Sequence, residues 1–212
     1  MTAAALLVLP ACGGTGAGEG IVADVRTEDE DGLHGAVLTT PYQLGESTLT
    51  DSAGQPFNVH SKLEKPLTLA FFGYTRCPDI CQVVMADLAS AVARLESTRA
   101  EEVATWFVTT DPARDDSETL RSYLDRFNPA FEGLTGRLED IVELADSVHV
   151  PVEKGRRLPS GGYEVVHGTQ ILGITPDGTV PVLWTEGTSA AKLAEDIDEI
   201  LRDGIPTIDG NG

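Results

Sequence analysis

The chain has 212 residues, enough for one domain with a sizeable core plus a tail, and 41% of them are hydrophobic. Its 34 acidic residues outnumber its 15 basic ones, giving a formal net charge of −19. That balance repels phosphate backbones and argues against nucleic acid as a partner; otherwise it reads as solubility.

Residues 1–12, MTAAALLVLPAC, form an apolar run too short to span a bilayer. The run ends in Leu9-Pro10-Ala11-Cys12, and small residues before a cysteine resemble a bacterial lipobox. On that reading Cys12 carries lipid and residues 1–11 are removed, although no basic segment precedes the run. Residues 13–41 carry many Gly, Glu, Asp and Thr residues and are expected to form a flexible acidic tether, with His34 solvated in it. Such a coil would hold the domain on the order of 30 Å from its anchor.

The expected domain covers 42–203, followed by a short tail, 204–212. Tyr42-Gln43-Leu44 and Phe57-Asn58-Val59 flank the turn-rich Asp51-Ser52-Ala53-Gly54, which predicts an N-terminal β-hairpin. Leu67 to Phe72 is a nearly continuous apolar run, read as a strand buried on both faces. A loop with Cys77-Pro78 follows, then helical spacing of apolar residues from Asp79 to Leu95. Val103 to Thr109 reads as a second buried strand, and Asp116 to Phe127 as a helix capped by Asp115 or Asp116. Phe131 to Leu134 is a short strand, and Leu138 to Val148 a helix. Val150 to Val152 and Tyr163 to Val166 border a loop rich in Gly, Arg and Pro. Thr169 to Ile174 and Val180 to Trp184 form a hairpin around Thr175-Pro176-Asp177-Gly178, and Thr188 to Arg202 is a last amphipathic helix. Strands alternating with helices, then a late hairpin, predict an α/β fold: a mixed sheet flanked by helices, thioredoxin-like in placing a cysteine pair after the first buried strand.

Three cysteines are an awkward number for a disulfide framework. If Cys12 is lipidated, Cys77 and Cys81 remain, and the loop between them is too small to staple a domain. Proline suits the first turn of a helix, so Pro78 places Cys77 at the cap and Cys81 one turn in. The helix dipole and Arg76 then favour thiolate, the form that binds soft metals and attacks disulfides. Core cysteines, a thiol–disulfide oxidoreductase and a soft-metal site all fit this spacing. The polar surroundings argue against the first. Three intervening residues, where redox motifs carry two, leave the other two open.

The segment FFGYTRCPDIC resembles the signature of the Sco/SenC family of copper-binding thioredoxin-like proteins. Three later segments agree in order. These are Phe107 to Asp115 (FVTTDPARD), Phe131 to Gly136 (FEGLTG), and Tyr163 to Gln170 (YEVVHGTQ) followed by Pro176-Asp177-Gly178. The likeness covers roughly 42–202. It implies copper, Cu(I) or Cu(II), held by Cys77, Cys81 and His167. It further implies delivery to the binuclear copper centre of cytochrome c oxidase subunit II, or reduction of the cysteines there, with another copper or dithiol acceptor protein as the wider partner class. With Cys12, it implies a lipid anchor on the extracytoplasmic side of a bacterial membrane. If the pair is redox active, Cys77 and Cys81 are the catalytic residues of a thiol–disulfide reductase, which does not need His167.

Two positions depart from the family pattern. Val166 stands where the family has Asp before the histidine, which is expected to loosen the imidazole or alter the preference between copper states. Gln82 replaces a proline after the second cysteine, at little expected cost inside a helix. Asp79 and Asp111 match family positions, but carboxylates are hard donors for Cu(I). His60 and His149 read as structural or exposed, and Met85, Trp106 and Trp184 as core residues. A peroxide-reducing relative fits poorly, because Thr75-Arg76-Cys77 is one residue short of the Thr-x-x-Cys element.

Overall fold

The computed structural model describes residues 32–157 and 163–206, with only the backbone for 153–157 and 163–167. The strands are β1 (Ala36–Gln43), β2 (Thr48–Asp51), β3 (Pro56–Asn58), β4 (Leu67–Gly73), β5 (Val103–Thr109), β6 (Glu132–Thr135), β7 (Val152–Arg157), β8 (Tyr163–His167), β9 (Ile171–Ile174) and β10 (Thr179–Trp184). The helices are α1 (Ile80–Arg94), α2 (Ser97–Ala100), α3 (Ser117–Leu124), α4 (Leu138–Ser147) and α5 (Ala190–Asp203).

Eight strands form one mixed sheet in the order β1-β10-β9-β4-β5-β6-β2-β3, while β7 and β8 pair with each other as a separate ribbon. The strands β4, β5 and β6 are parallel, and β9 runs antiparallel to β4. All seven residues of β4 are buried, as its unbroken apolar run requires of a strand covered on both faces. One face carries α1, α3 and α5, packed around Leu69, Phe71, Phe107 and Trp184. The other carries α4, packed around Phe72, Trp106, Val108 and Leu134 together with Leu49 and Phe57 of the edge strands β2 and β3. This is the expected α/β layering.

One row of register matters for the site. Phe71 pairs with Ile171, Ile171 with Trp184, and Ala36 with Leu183 beside it. The carboxyl end of β4, the amino end of β9, the carboxyl end of β10 and the amino end of β1 therefore share one end of the sheet.

The structure corrects two boundaries. The domain begins before residue 42: Leu33, Val37 and Leu38 are buried, and β1 spans a stretch that composition assigned to a tether. His34 is partly exposed but tied to α5, since its backbone N–H donates to Asp196 Oδ1 at 2.9 Å and its Nε2 lies 3.0 Å from Glu195 Oε2. The N-terminal hairpin exists, but its first strand is Thr48–Asp51; Tyr42 and Gln43 belong to β1 and pair with β10. Residues 1–31, with Cys12 and most of the expected tether, lie outside the described residues. Among the described residues no helix is long and apolar enough to cross a membrane.

Candidate metal and dithiol site

The cysteine loop leaves the carboxyl end of β4. The Cys77 N–H donates to the Tyr74 carbonyl at 3.1 Å, closing a turn over Tyr74–Cys77. Helix α1 then starts at Ile80 with Asp79 as its N-cap residue, whose side chain makes no capping bond. Cys77 is thus two residues ahead of the cap rather than at it, and Cys81 sits in the first helical turn, where backbone N–H groups lack intrahelical partners. Pro78 and Asp79 are both exposed.

Cys77 and Cys81 are thiols, not joined as a disulfide, and are hydrogen-bonded to each other through their side chains. The backbone of Tyr74 also bonds to Cys81. The surroundings are drier than the polar sequence implied. Cys77 is 5% exposed and Cys81 0%, both within the apolar cluster that holds Phe71, Met85, Phe107 and Tyr123. Gly73 makes this packing feasible. A Cβ there would stand 2.8 Å from Phe71 Cε1, 3.0 Å from Cys81 Sγ and 3.1 Å from Phe107 Cε2. Its importance was invisible in the sequence, where it reads as the first residue of a loop.

Burial reverses part of the expected electrostatics. The hydrogen bond from Cys77 and then burial push the Cys81 thiol up, and the Tyr74 backbone bond opposes them only in part. Arg76, expected to favour thiolate, is exposed. The pair holds its second proton strongly, because two thiolates side by side in an apolar pocket repel each other. Burial, and then the Cys77 and Cys81 sulfurs, likewise push the Tyr74 phenol up to about 12.

Asp115 fixes the loop from beneath. It is fully buried and accepts from the Thr75 N–H at 2.9 Å, the Thr75 hydroxyl at 2.6 Å and the Thr109 hydroxyl at 2.7 Å. A buried carboxylate needs such donors, and here they tie the cysteine loop to the end of β5. Asp116, the other candidate cap, is the actual N-cap of α3 and accepts from the Thr119 N–H at 2.8 Å. Asp111 is buried and bonded to Arg114.

His167 closes β8, with its backbone opposite Val152. Its side chain lies outside the described residues. The chain then runs Gly168 to Gln170 into Ile171, the residue in register with Phe71. Four residues of extended chain reach about 14 Å at most, so the His167 backbone lies within that reach of the sheet end that carries the cysteine loop. Among the described residues no group of three or more His, Cys, Asp or Glu side chains is placed to hold a metal ion; of the three expected donors, only the two thiols have described side chains. Of the other residues singled out, His60 and His149 lie elsewhere and Met85 packs in the cysteines' own cluster. His60 Nε2 is 2.9 Å from the Leu44 carbonyl, His149 packs its ring 4.5 Å from that of Tyr42, and Met85 is fully buried in the core.

A mixed sheet with two thiols between its first parallel strand and the following helix defines a thioredoxin-like dithiol protein with soft-metal donors. The SCO1/SenC family model matches residues 38–202, and the chain belongs to that family. The mitochondrial SCO2 homolog of Mus musculus is 32% identical over 159 residues, 74% of this chain and 60% of the relative's own length. The chain therefore spans less than two thirds of that protein. Bradyrhizobium japonicum ScoI, solved with copper bound, matches with a TM-score of 0.67 at 29% identity over 74% of this chain and 98% of its own. Yeast Sco1 with copper bound matches at 0.71 and 26% identity over 78% and 92%.

Proposed function

We propose that this protein is a copper-binding chaperone. Cys77 and Cys81 as thiolates and His167 as a neutral imidazole hold one copper ion as cargo. The recipient is the binuclear copper centre of cytochrome c oxidase subunit II or another dithiol acceptor. The observation that supports the reading is the pair of hydrogen-bonded sulfurs beyond the carboxyl end of β4, the end of the sheet from which His167 is four residues of chain away. Two sulfurs and one imidazole suit copper as Cu(I), and the imidazole extends the set to Cu(II). Both thiols must lose their protons to bind metal, so the Cys77 hydrogen bond and the burial that keep Cys81 protonated also make uptake dependent on pH. Cys12, if lipidated, would hold the domain at the outer face of a bacterial membrane.

The reduced protein is expected to take up one equivalent of copper with release of protons. Cys77→Ser, Cys81→Ser and His167→Ala are each expected to weaken retention at least about tenfold, read by competition with a chromogenic chelator. Paramagnetic resonance of the Cu(II) form should show nitrogen coupling that disappears in His167→Ala. Retention of Cu(II) by that variant at parental strength would remove His167 from the ligand set.

Dithiol exchange without a stable copper site is the second reading, favoured by the same sulfur pair. It requires Cys77 and Cys81 but leaves His167→Ala fully active in a redox titration, which separates the two.

A further inference from the structure

Tyr123 of α3 belongs to the same apolar cluster as Cys77 and Cys81. It is 3% exposed, and its hydroxyl is buried with no hydrogen-bond partner among the described residues. A buried donor left in that condition is costly and rare. The ring is gripped and cannot swing out to water. Its centre lies 5.3 Å from that of Phe107 and 5.2 Å from that of Phe127, and the Arg126 guanidinium covers it at 4.7 Å. Asp115, whose charge reaches the phenol, already accepts from the Thr75 N–H, the Thr75 hydroxyl and the Thr109 hydroxyl. The sulfurs remain. A Cβ at Gly73 would meet Cys81 Sγ at 3.0 Å and Phe107 Cε2 at 3.1 Å, so that sulfur and the ring on which Tyr123 packs converge on one point. The electrostatics agree. Burial pushes the Tyr123 phenol up, and the Cys81 sulfur pushes it further, more strongly than the adjacent Arg126 guanidinium pulls it down. Charge interactions weaken with distance, which puts Cys81 close to the hydroxyl end of the side chain.

As thiols, the sulfurs offer this donor little. Thiol sulfur is a weak acceptor, and Cys81 is already bonded to Cys77 and to the Tyr74 backbone. Metal binding changes both conditions. The protons leave, the bond between the two side chains goes with them, and the sulfur becomes an anionic acceptor for which a charge-assisted bond is strong. We propose that Tyr123 is a positioning residue of the dithiol site: its hydroxyl, idle in the metal-free thiol state, donates to the Cys81 sulfur once that sulfur holds metal. Loss of the bond to Cys77 frees the Cys81 side chain to turn toward it. The inference rests on Cys81 being a metal ligand, but not on which soft metal it holds.

Tyr123→Phe removes the hydroxyl and keeps the ring, which separates this role from packing. In the reduced, metal-free full chain its urea midpoint should hold or rise, because a stranded donor is gone. Copper retention by the same variant, read by chelator competition, should fall at least about tenfold, the usual effect of losing a group that supports a ligand. The sulfur-to-Cu(II) charge-transfer band should move to lower energy, since a sulfur without its hydrogen bond gives up an electron more readily. Phe127→Leu loosens the same packing without removing a donor. It should lower the urea midpoint and leave the band in place. Zinc, which thiolates also hold, repeats the retention measurement without copper. A chain that binds zinc but not copper removes the copper reading, while the zinc comparison between parent and Tyr123→Phe still decides this one. Parental retention in Tyr123→Phe, an unmoved band, or an equal band shift in Phe127→Leu would overturn the proposal and leave the hydroxyl a packing group. A parent that binds neither metal overturns both readings.

Discussion

The proton on Cys81 is held by Cys77 and by burial, and both act against a second thiolate. This fixes the sign of the pH dependence of folding. A thiol in the unfolded chain ionises near about pH 8.5, while Cys81 in the fold stays protonated well above that. Above about pH 8.5 the native state therefore binds more protons than the unfolded one, and stability falls as pH rises, with the full contribution present below that value. The phenol of Tyr74, pushed up to about 12, extends the decline beyond the ordinary tyrosine value. The urea midpoint of the reduced protein should drop between about pH 8 and 10, with a limiting slope of about 1.4 kcal/mol per pH unit for one whole proton. Cys81→Ser should flatten the drop in the thiol range. An unchanged midpoint in the parent would show that the sulfurs are better solvated than their packing indicates. The sequence disclosed the candidate dithiol, because Cys-x-x-x-Cys after an apolar run is a local pattern. It could not disclose their protonation, which depends on Phe71, Phe107 and Tyr123, brought together only by the fold.

At the scale of elements, Asp115 and Asp116 are adjacent carboxylates with different duties. Asp116 is an exposed helix cap, whereas Asp115 is a buried tie between β5 and the cysteine loop. Asp116→Ala should cost about 1 kcal/mol, the usual worth of an N-cap. Asp115→Ala strands three donors and should cost about 2–4 kcal/mol. It should also loosen the loop, read as faster alkylation of Cys77 in the native state. Denaturant titration of both variants checks the ranking, and equal costs would contradict the assigned duties. From the sequence alone either residue could cap α3, since capping is local, while the partners of Asp115 are Thr75 and Thr109 on other elements. The same distinction explains the hairpin. Tyr42 and Gln43 have strand character, but their partners, Val180 and Thr179, lie more than a hundred residues away. A nearer turn signal therefore drew them into the wrong pair. Buried runs such as β4 and β5 were legible because their pattern is self-contained.

For the whole molecule, the start of the domain is clasped to its end. Asp196 of α5, 1% exposed, accepts from the His34 N–H at 2.9 Å, the Gly35 N–H at 2.8 Å and Trp184 Nε1 at 2.7 Å. Gly35 is needed here because a Cβ would sit 2.5 Å from the indole nitrogen. Asp196→Ala should destabilise the domain by about 2–4 kcal/mol and change the Trp184 emission. It should also make the segment before β1 more sensitive to protease. Composition hid this clasp, because the short apolar run Ala36-Val37-Leu38 follows a long Gly- and acid-rich stretch and Asp196 looks like one more surface acid on an amphipathic helix.

The register row across β4, β9, β10 and β1 has a geometric outcome. Three strand spacings of about 4.8 Å place the amino end of β1 only about 15 Å across the sheet from the row that leads into the cysteine loop. The amino end of the described domain and its cysteine loop are on the same side. A fusion or bead joined directly ahead of Gly32 therefore crowds the cysteine loop, while one joined beyond α5, whose Leu201 carbonyl accepts from Arg99 ahead of β5, stands at the opposite end.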